Sequence, residues 1–409
     1  MASLKPYFPL SIGLVLRLLY GLWLGPDLFA NDAIYYVEEA QLLLESGQTS
    51  LYWPPALIYL LAGWGWFWGL SWGSCMVFML LWYIAFDVLL RKADHGLWPS
   101  YLFALYPVFI HHSVSPLTQL PVAVCLMAVY LLGRRKASGW LSGLLLGLGV
   151  LLRAGTASVL PAVLLRRTPS QMLSIGLGLI LVVGAWLGIA AAQNDKFVPV
   201  NTANAYNFYL GNNPWTPDYK SYWLGSHDES QNPAFAGFYA ERDSIFALAP
   251  SAEGQAFRDL AVKYIKSEPT RFVYRLWQRF KLFWAFDTFT AATVQERSPA
   301  LAWGIQLWEM ICYGLIWGWL FLGWWNQSAQ NFAPLLWPIC YMLPYLLAFS
   351  HPTYHLPLLP LMVLMLPRFA GRESLRLLPK KITWRQTIWG LCLLFWCYIQ
   401  IEWAWSLLS

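Results

Sequence analysis

The chain has 409 residues, of which 58% are hydrophobic and 12% are charged, whereas a soluble domain carries about 25% charged residues. Because apolar runs also recur from end to end, the composition predicts an all-α polytopic membrane protein and excludes an ordinary soluble domain. All six cysteines lie within apolar runs, and the net charge of +6 comes mainly from short loops. We therefore predict no disulfide framework and no nucleic-acid partner.

The short basic loops set the predicted orientation in the membrane. They are Arg91-Lys92, Arg134–Lys136, Arg166-Arg167 and Arg368–Lys381. The positive-inside rule places these loops in the cytoplasm together with the N-terminus. After a first crossing at about 9–25, only one of the apolar runs 54–71 and 74–90 can then cross. We therefore predict that 54–71 is a juxtamembrane helix at the outer interface.

The remaining apolar runs complete a predicted set of crossings that ends with the C-terminus outside. The eleven predicted crossings are about 9–25, 74–90, 97–111, 117–133, 139–152, 155–166, 171–192, 300–324, 331–349, 356–367 and 386–406. They divide the chain into an N-terminal transmembrane module over 1–192 with a first outer loop over 26–73, an extracytoplasmic cap over 193–299, and C-terminal transmembrane helices over 300–409.

Asp32 is the first candidate catalytic residue, at the outer mouth of the first apolar segment. A carboxylate just outside the hydrocarbon region is costly enough to suggest function, and it could accept a proton from the nucleophile in sugar transfer. The alternative is a cap for a helix that begins at Ala33. Glu38 and Glu39 follow about two turns later, where they either share the face of Asp32 or form a solvated surface.

Arginines supply candidate anion-binding groups. Arg153 lies at the predicted outer end of a helix, where a guanidinium could bind a lipid-linked phosphate or reach the lipid headgroups as a snorkelling side chain. Arg271, Arg275 and Arg279 are spaced by four along an amphipathic helix predicted over Pro269–Trp284. That pattern is typical of an interfacial helix resting on anionic lipid. The alternative is that Arg275 binds a lipid phosphate in the site.

Histidines lie at two predicted outer loops. His351 and His355 could bind phosphate or relay protons, and a capped interfacial turn is the alternative. His111-His112 could form a metal pair, but no carboxylate lies beside it in the sequence. We therefore predict no metal ligands and no cofactor, with a divalent metal as the open alternative.

Motifs along nearly the whole chain, taken in order, resemble the GT-C membrane glycosyltransferases. The closest likeness is to family 39-like enzymes, which are related to protein O-mannosyltransferases and lipid A aminoarabinose transferases. The segments that carry the resemblance are Asp32-x-x-Tyr35 with Glu39-Ala40 and Gly47, Trp53-Pro54-Pro55-Ala56, Gly143–Gly147 leading to Arg153, Asn207–Pro214, and Tyr354-His355-Leu356-Pro357-x-x-Pro360. Each motif is degenerate alone, and their order and spacing carry the likeness.

The sequence departs from the family pattern at three places. Ala33 follows Asp32 where many relatives have an acidic residue, Thr353 stands where the family has an arginine before Tyr354, and Gln119 occupies a place where acidic residues are common. These departures put the acceptor and the phosphate ligands in doubt more than they do the catalytic aspartate.

The resemblance implies a GT-C fold of about eleven spans with juxtamembrane helices and a large outer loop. It implies inverting transfer of a sugar from a polyprenyl-phosphate donor to a lipid, glycan or protein acceptor outside a bacterial inner membrane. Asp32 would be the general base, with Arg153, His351, His355 and Arg275 as candidate donor-phosphate ligands. The implied loop residues near donor and acceptor are Tyr35, Glu39, Pro54, Pro55, Asn207, Asn212 and Tyr354. The alternatives are a transporter or flippase of lipid-linked sugars and a non-catalytic membrane scaffold.

Overall fold

A computed structural model describes most of the chain, and the described residues contain helices and connecting turns without any strand. The described residues are 7–92, 96–134, 139–194, 200–218, 233–248, 250–325, 333–366 and 384–408. The predicted all-helical class is therefore confirmed for this part of the chain.

Ten helices make up the described N-terminal module. They are α1 (Phe8–Leu24), α2 (Asp32–Ser46), α3 (Pro55–Trp68), α4 (Trp72–Arg91), α5 (Trp98–Leu105), α6 (Pro107–His112), α7 (Gln119–Arg134), α8 (Gly139–Leu152), α9 (Leu160–Leu164) and α10 (Pro169–Asn194). Short 3₁₀ segments over Gly25–Phe29 and Ala154–Val159 join α1 to α2 and α8 to α9.

Nine more helices follow in the cap and the C-terminal part that the structure describes. They are α11 (Ala203–Gly211), α12 (Ala236–Phe246), α13 (Pro250–Ser267), α14 (Pro269–Phe283), α15 (Phe289–Gln295), α16 (Pro299–Trp325), α17 (Leu336–Leu347), α18 (Leu358–Met365) and α19 (Trp384–Leu408). A 3₁₀ turn over Pro352–His355 lies between α17 and α18.

Five of the described helical segments are long and apolar enough to cross a membrane. They are Phe8–Phe29, Trp72–Arg91, Pro169–Gln193, Pro299–Trp325 and Gln386–Leu407. Five shorter apolar segments accompany them. The chain is therefore a helical membrane protein by length and composition, and the count of eleven crossings stays a prediction.

Helix α3 covers the segment that we predict to lie at the outer interface. Its 14 residues are fewer than the roughly 20 that a helix needs to cross the hydrocarbon core. Pro55 begins it, at a position where a missing N–H costs nothing. Trp66, Phe67 and Trp68 are exposed near its end, and aromatic side chains favour the membrane–water interface.

The glycine-rich run of α8 is a packing surface against α10. A Cβ atom at Gly143 would lie 2.1 Å from the carbonyl oxygen of Ile175, and one at Gly178 would lie 2.4 Å from that of Trp140. Only glycine permits this approach of two helix backbones, as in small-residue contacts between membrane helices. The contact fixes α8, whose end carries Arg153.

The predicted helix over 97–111 is in fact two helices, because Pro107 interrupts it. Proline has no N–H to offer the carbonyl group four residues earlier, so Phe103 loses its helical donor. Arg17 of α1 replaces that donor, with hydrogen bonds to the carbonyl oxygens of Phe103 (3.2 Å) and Ala104 (3.1 Å). The guanidinium of Arg17 is fully buried and also lies over the ring of Tyr83.

Helix α16 completes the support of this break. The indole of Trp308 donates to the carbonyl oxygen of Leu105 (2.9 Å), and the buried carboxylate of Glu309 accepts from the backbone N–H of Val108 (3.2 Å). The carbonyl group of Leu105 and the N–H group of Val108 lie at the junction of α5 and α6, where the backbone groups cannot all form hydrogen bonds within the two helices. Two charged side chains inside the bundle thus have structural partners.

Candidate functional site

Asp32 is the first residue of α2, and its side chain does not cap that helix. The residue before it, Asn31, occupies the N-cap position with φ of 58° and no side-chain cap hydrogen bond. Among the described residues the carboxylate of Asp32 has no hydrogen-bond or salt-bridge partner, so the helix-cap alternative for this residue is wrong.

The carboxylate of Asp32 is both exposed to solvent and closely surrounded by protein atoms. The side chain keeps solvent-accessible surface, yet surrounding protein atoms desolvate it. This burial raises the pKa of Asp32, and the positive charge of Arg153 offsets part of that effect. A desolvated carboxylate with a raised pKa is a stronger proton acceptor than one in water.

Arg153 follows α8 directly, in an extended backbone conformation (φ −160°) before the 3₁₀ segment. Its Nε and Nη2 groups donate to Thr118 Oγ1 at 3.4 Å and 3.2 Å, and its guanidinium lies 4.8 Å from the ring centroid of Tyr354. Among the described residues no carboxylate lies within salt-bridge distance. The guanidinium therefore keeps N–H donors and a full positive charge for an anion.

Tyrosines enclose Arg153. The four that lie near its guanidinium are Tyr36, Tyr341, Tyr345 and Tyr354. The hydroxyl of Tyr345 donates to that of Tyr341 (3.3 Å), and the rings of Tyr345 and Tyr354 lie 4.8 Å apart. A Cβ atom at Gly155 would lie 2.9 Å from the hydroxyl of Tyr345, so the turn after Arg153 packs directly on α17.

Tyr36, rather than the predicted Tyr35, joins Asp32 to this cage. Residues four apart share one face of a helix, and Tyr36 interacts electrostatically with both Asp32 and Arg153. The rings of Tyr35 and Tyr36 both contact Trp53, at 5.3 Å and 5.5 Å. Tyr35, the predicted residue, is exposed, whereas Tyr36 is buried.

The predicted histidines at 351 and 355 have different surroundings. His351 caps the 3₁₀ turn, since its Nδ1 accepts from the backbone N–H of Thr353 (3.1 Å), which confirms the predicted capped turn. His355 is buried, and its Nδ1 donates to the carbonyl oxygen of Phe283 (2.6 Å). This hydrogen bond holds the end of α14, and among the described residues His355 has no contact with Asp32 or Arg153.

Two arginines of the α14 stripe, Arg275 and Arg279, are buried against other parts of the protein, so these two do not rest on lipid. Arg275, the candidate phosphate ligand, donates to the carbonyl oxygens of Asn213 (2.7 Å) and Thr216 and to the carboxylate of Asp218 (2.8 Å). With these three partners its guanidinium stabilises the loop after α11. It is therefore not assigned as a ligand of a lipid phosphate.

Arg279 is likewise committed to backbone. It is fully buried and donates to the carbonyl oxygens of Leu346 (2.9 Å), Leu347 (3.0 Å) and Gly211. The side of α14 that is exposed instead carries apolar and aromatic residues, including Val273, Tyr274 and Trp277. The helix is amphipathic, as the sequence predicts, and its position at the membrane interface stays a prediction.

Substitution of Arg279 by leucine tests this structural role. We expect the Arg279→Leu variant to lose about 1–3 kcal/mol of unfolding free energy for each buried carbonyl group left unpaired. The partly exposed Arg271, which pairs with Asp218 and Glu268, is the matched control, and its leucine variant should lose about 0–1 kcal/mol. Thermal unfolding in detergent measures both, and equal losses would contradict the assignment.

The remaining predicted residues of the first loop make local contacts. The carboxylate of Glu39 accepts hydrogen bonds from the backbone N–H (2.9 Å) and the hydroxyl of Ser50, and Pro54 and Pro55 start α3. The backbone N–H of Thr202 donates to the carbonyl oxygen of Leu51 (3.0 Å). The cap is therefore attached to the first loop beside Asp32.

Two predicted asparagines belong to the cap. Asn207 lies half-buried on α11. The side-chain amide of Asn212 donates to the carbonyl oxygens of Phe208 (2.8 Å) and Leu347 (2.9 Å), and its oxygen accepts from Arg279. Asn212 therefore ties α11 to the end of α17, which is a structural role.

Within the described residues no group of three or more histidine, cysteine, aspartate or glutamate side chains is arranged to hold a metal ion. Comparison with known proteins gave no relatives: no family model, no curated protein and no solved structure matches the chain.

Proposed function

We propose that the protein is a glycosyltransferase that moves a sugar from a polyprenyl-phosphate donor to an acceptor hydroxyl or amine on the extracytoplasmic face. One observation carries the proposal. Asp32 and Arg153, 121 positions apart in the sequence, interact electrostatically without forming a salt bridge, and tyrosines lie near the guanidinium. A base and a cation that do not neutralise each other suit such a transfer, because the base can accept the proton of the acceptor while the cation stabilises the negative charge of the leaving phosphate.

In the proposed reaction Asp32 acts as the general base. The acceptor oxygen or nitrogen forms a bond to the anomeric carbon while its proton passes to the Asp32 carboxylate. The bond between the anomeric carbon and the phosphate oxygen breaks, and its electron pair stays on the phosphate. Attack from the side opposite the leaving group inverts the anomeric centre.

Arg153 binds the phosphate in this proposal. A guanidinium forms strong, charge-assisted hydrogen bonds to phosphate oxygens, and it would stabilise the charge that develops as the bond to the sugar breaks. The tyrosine rings around it exclude water, which strengthens the interaction. The apolar grooves between helices would hold the prenyl chain, and the cap would select the acceptor.

The proposed topology follows from the charges of the loops. Eleven crossings of GT-C type, with α3 at the outer interface, place Asp32 and the cap outside. A bacterial inner membrane is the location that this arrangement suits.

The test measures the fate of the donor. Purified protein in nanodiscs is incubated with a panel of polyprenyl-phosphate sugars and an acceptor-containing membrane extract, and release of polyprenyl phosphate is followed by mass spectrometry. A transferase consumes at least one donor and forms polyprenyl phosphate. A flippase in proteoliposomes moves the donor across the bilayer but leaves it chemically intact, and that result would overturn the proposal.

A further inference from the structure

The loop between α6 and α7, residues 113–118, is buried along its whole length, although half of its residues carry a hydroxyl group. Buried polar groups need hydrogen-bond partners, and each of these hydroxyls has one on a different part of the chain. Ser113 accepts from Arg17 of α1, Ser115 donates to the 3₁₀ segment before α2, and Thr118 accepts from Arg153 after α8. The loop therefore connects three separate parts of the N-terminal module.

Thr118 fixes one edge of the Arg153 guanidinium. Nε and Nη2 lie on the same edge of that planar group, and both donate to Thr118 Oγ1, at 3.4 Å and 3.2 Å. One face of the group also lies over the ring of Tyr354. With one edge and one face held, the rigid fork of the guanidinium has a defined orientation.

The edge of Arg153 formed by Nη1 and Nη2 remains for a ligand. Nη1 has no hydrogen-bond partner among the described residues, yet it is not one of the unpaired polar atoms sealed inside the protein. It therefore keeps accessible surface, which agrees with the half-buried state of the side chain. Two nitrogens on one edge match two oxygens of a phosphate, so this edge can bind a phosphate in a bidentate manner.

Ser115 holds the segment that leads to Asp32. Its hydroxyl donates to the carbonyl oxygen of Leu28 at 2.7 Å, and both residues are 1% exposed. Leu28 lies in the 3₁₀ segment, four residues before Asp32. Pro116 stiffens the loop, because its ring fixes φ, and the backbone N–H of Leu117 donates to the carbonyl oxygen of Ser115 (2.7 Å). One stiff loop thus holds both Arg153 and the segment before Asp32.

We propose that Ser115 and Thr118 are positioning residues for the transfer. Thr118 directs the Nη1–Nη2 edge of Arg153 to the donor phosphate, and Ser115 fixes the place of Asp32 relative to that phosphate. The inference rests on the proposed function, because it takes the donor phosphate and the general base from that reaction. Neither hydroxyl touches the reacting atoms, so each acts through the group that it holds.

Substitutions of Thr118 test the orientation of Arg153. Thr118→Val keeps the shape of the side chain but removes both hydrogen bonds to the guanidinium. We expect the affinity of the full-length protein in nanodiscs for polyprenyl phosphate, measured by isothermal titration calorimetry, to fall by about tenfold. Thr118→Ser keeps the hydroxyl and should bind as the wild type does. A role in packing alone predicts the opposite order, because serine leaves the space of a methyl group empty.

Thr156→Val is the matched control for Thr118→Val. Thr156 is also buried and lies three residues after Arg153, but its hydroxyl has no partner among the described residues. Its valine variant should therefore bind polyprenyl phosphate with wild-type affinity. Wild-type affinity in Thr118→Val overturns the inference, and so does an equal loss in Thr156→Val.

Ser115→Ala tests the link to Asp32. Without the hydrogen bond to Leu28 the start of α2 should shift, and a misplaced general base should lower kcat by about 10–10²-fold. The affinity for polyprenyl phosphate should stay at the wild-type value, because Thr118 still holds Arg153. Ser100→Ala, which removes a buried hydroxyl that has no partner among the described residues, is the control. A wild-type kcat in Ser115→Ala overturns the inference, as does a loss of affinity equal to that of Thr118→Val.

A structure of the wild type with bound polyprenyl phosphate needs no variant to fold. We expect the phosphate on the Nη1–Nη2 edge, with Thr118 still bound to Nε, and a phosphate that displaces Thr118 from Nε overturns the inference. The outcomes also separate this inference from the proposed function. Donor consumption together with wild-type behaviour of Thr118→Val removes only the positioning roles. Failure of the wild type to bind polyprenyl phosphate removes the positioning roles and the donor class together.

Discussion

The Asp32→Asn substitution is expected to lower turnover by about 10²–10⁴-fold while donor binding is retained. Asparagine has nearly the same shape as aspartate but cannot accept the acceptor proton. Because the carboxylate has no hydrogen-bond partner among the described residues, the substitution leaves no protein group unpaired, and the fold should be unaffected. Donor affinity should stay the same or increase, since a negative charge that repels the phosphate is removed.

Glu38→Gln is the matched control for Asp32→Asn. Glu38 lies on the same helix and is exposed, so its amide variant should turn over at the wild-type rate. Donor consumption by mass spectrometry and donor binding by calorimetry are measured on all three proteins. Equal turnover of wild type and Asp32→Asn would remove the general base from the proposal, and a loss of donor binding would point to a structural role.

The Arg153→Gln substitution is expected to weaken donor binding by about 10–150-fold, which corresponds to about 1.5–3 kcal/mol for a hydrogen bond to a charged group. It should also change the pH profile. The ionised carboxylate of Asp32 is the active form, so activity falls as the pH drops through the pKa of Asp32. Because Arg153 lowers that pKa, its removal should move the acidic limb of the profile to higher pH.

Arg153→Lys separates charge from geometry. Lysine keeps the positive charge but not the planar fork, so this variant should keep the acidic limb near its wild-type position and still bind the donor less tightly. The pH dependence of kcat/KM, measured for all three proteins, checks this. An acidic limb that does not move in Arg153→Gln would mean that Arg153 does not act on Asp32.

Much of the secondary structure could be predicted from the sequence, because apolar runs, prolines and basic loops mark helix limits directly. Helices α4, α8 and α16 lie within about two residues of their predicted bounds. The break at Pro107 was missed because the apolar pattern continues through it. Pro107 alone could have predicted the break. The charged residues that stabilise it could not be linked to it from the sequence, because they lie far away in α1 and α16.

The site was predictable only in part. Asp32 and Arg153 could be singled out because charges are rare in such a chain, and the structure brings them within electrostatic range of each other. The tyrosines around Arg153 were missed, since one tyrosine among 22 carries no signal of its own. The orientation of Arg275 and Arg279 was assigned incorrectly for a different reason. An amphipathic helix has the same residue pattern whether its polar side meets lipid headgroups or the carbonyl groups of a neighbouring loop.

The support of the α5–α6 break has a consequence for biosynthesis. Arg17 enters the membrane early, and an arginine in the middle of a helix costs about 2.5–3.5 kcal/mol to insert. The carbonyl groups that bind it belong to Phe103 and Ala104, which are synthesised 86 and 87 residues later. Glu309, which binds the backbone of Val108, follows Val108 by 201 residues. The partners of Arg17 are therefore absent when α1 is synthesised, and we expect α1 to be fully stabilised only after α5 has followed. Because α16 supplies the last support of the break, we also expect the N-terminal helices to complete their packing only after the C-terminal part has been made.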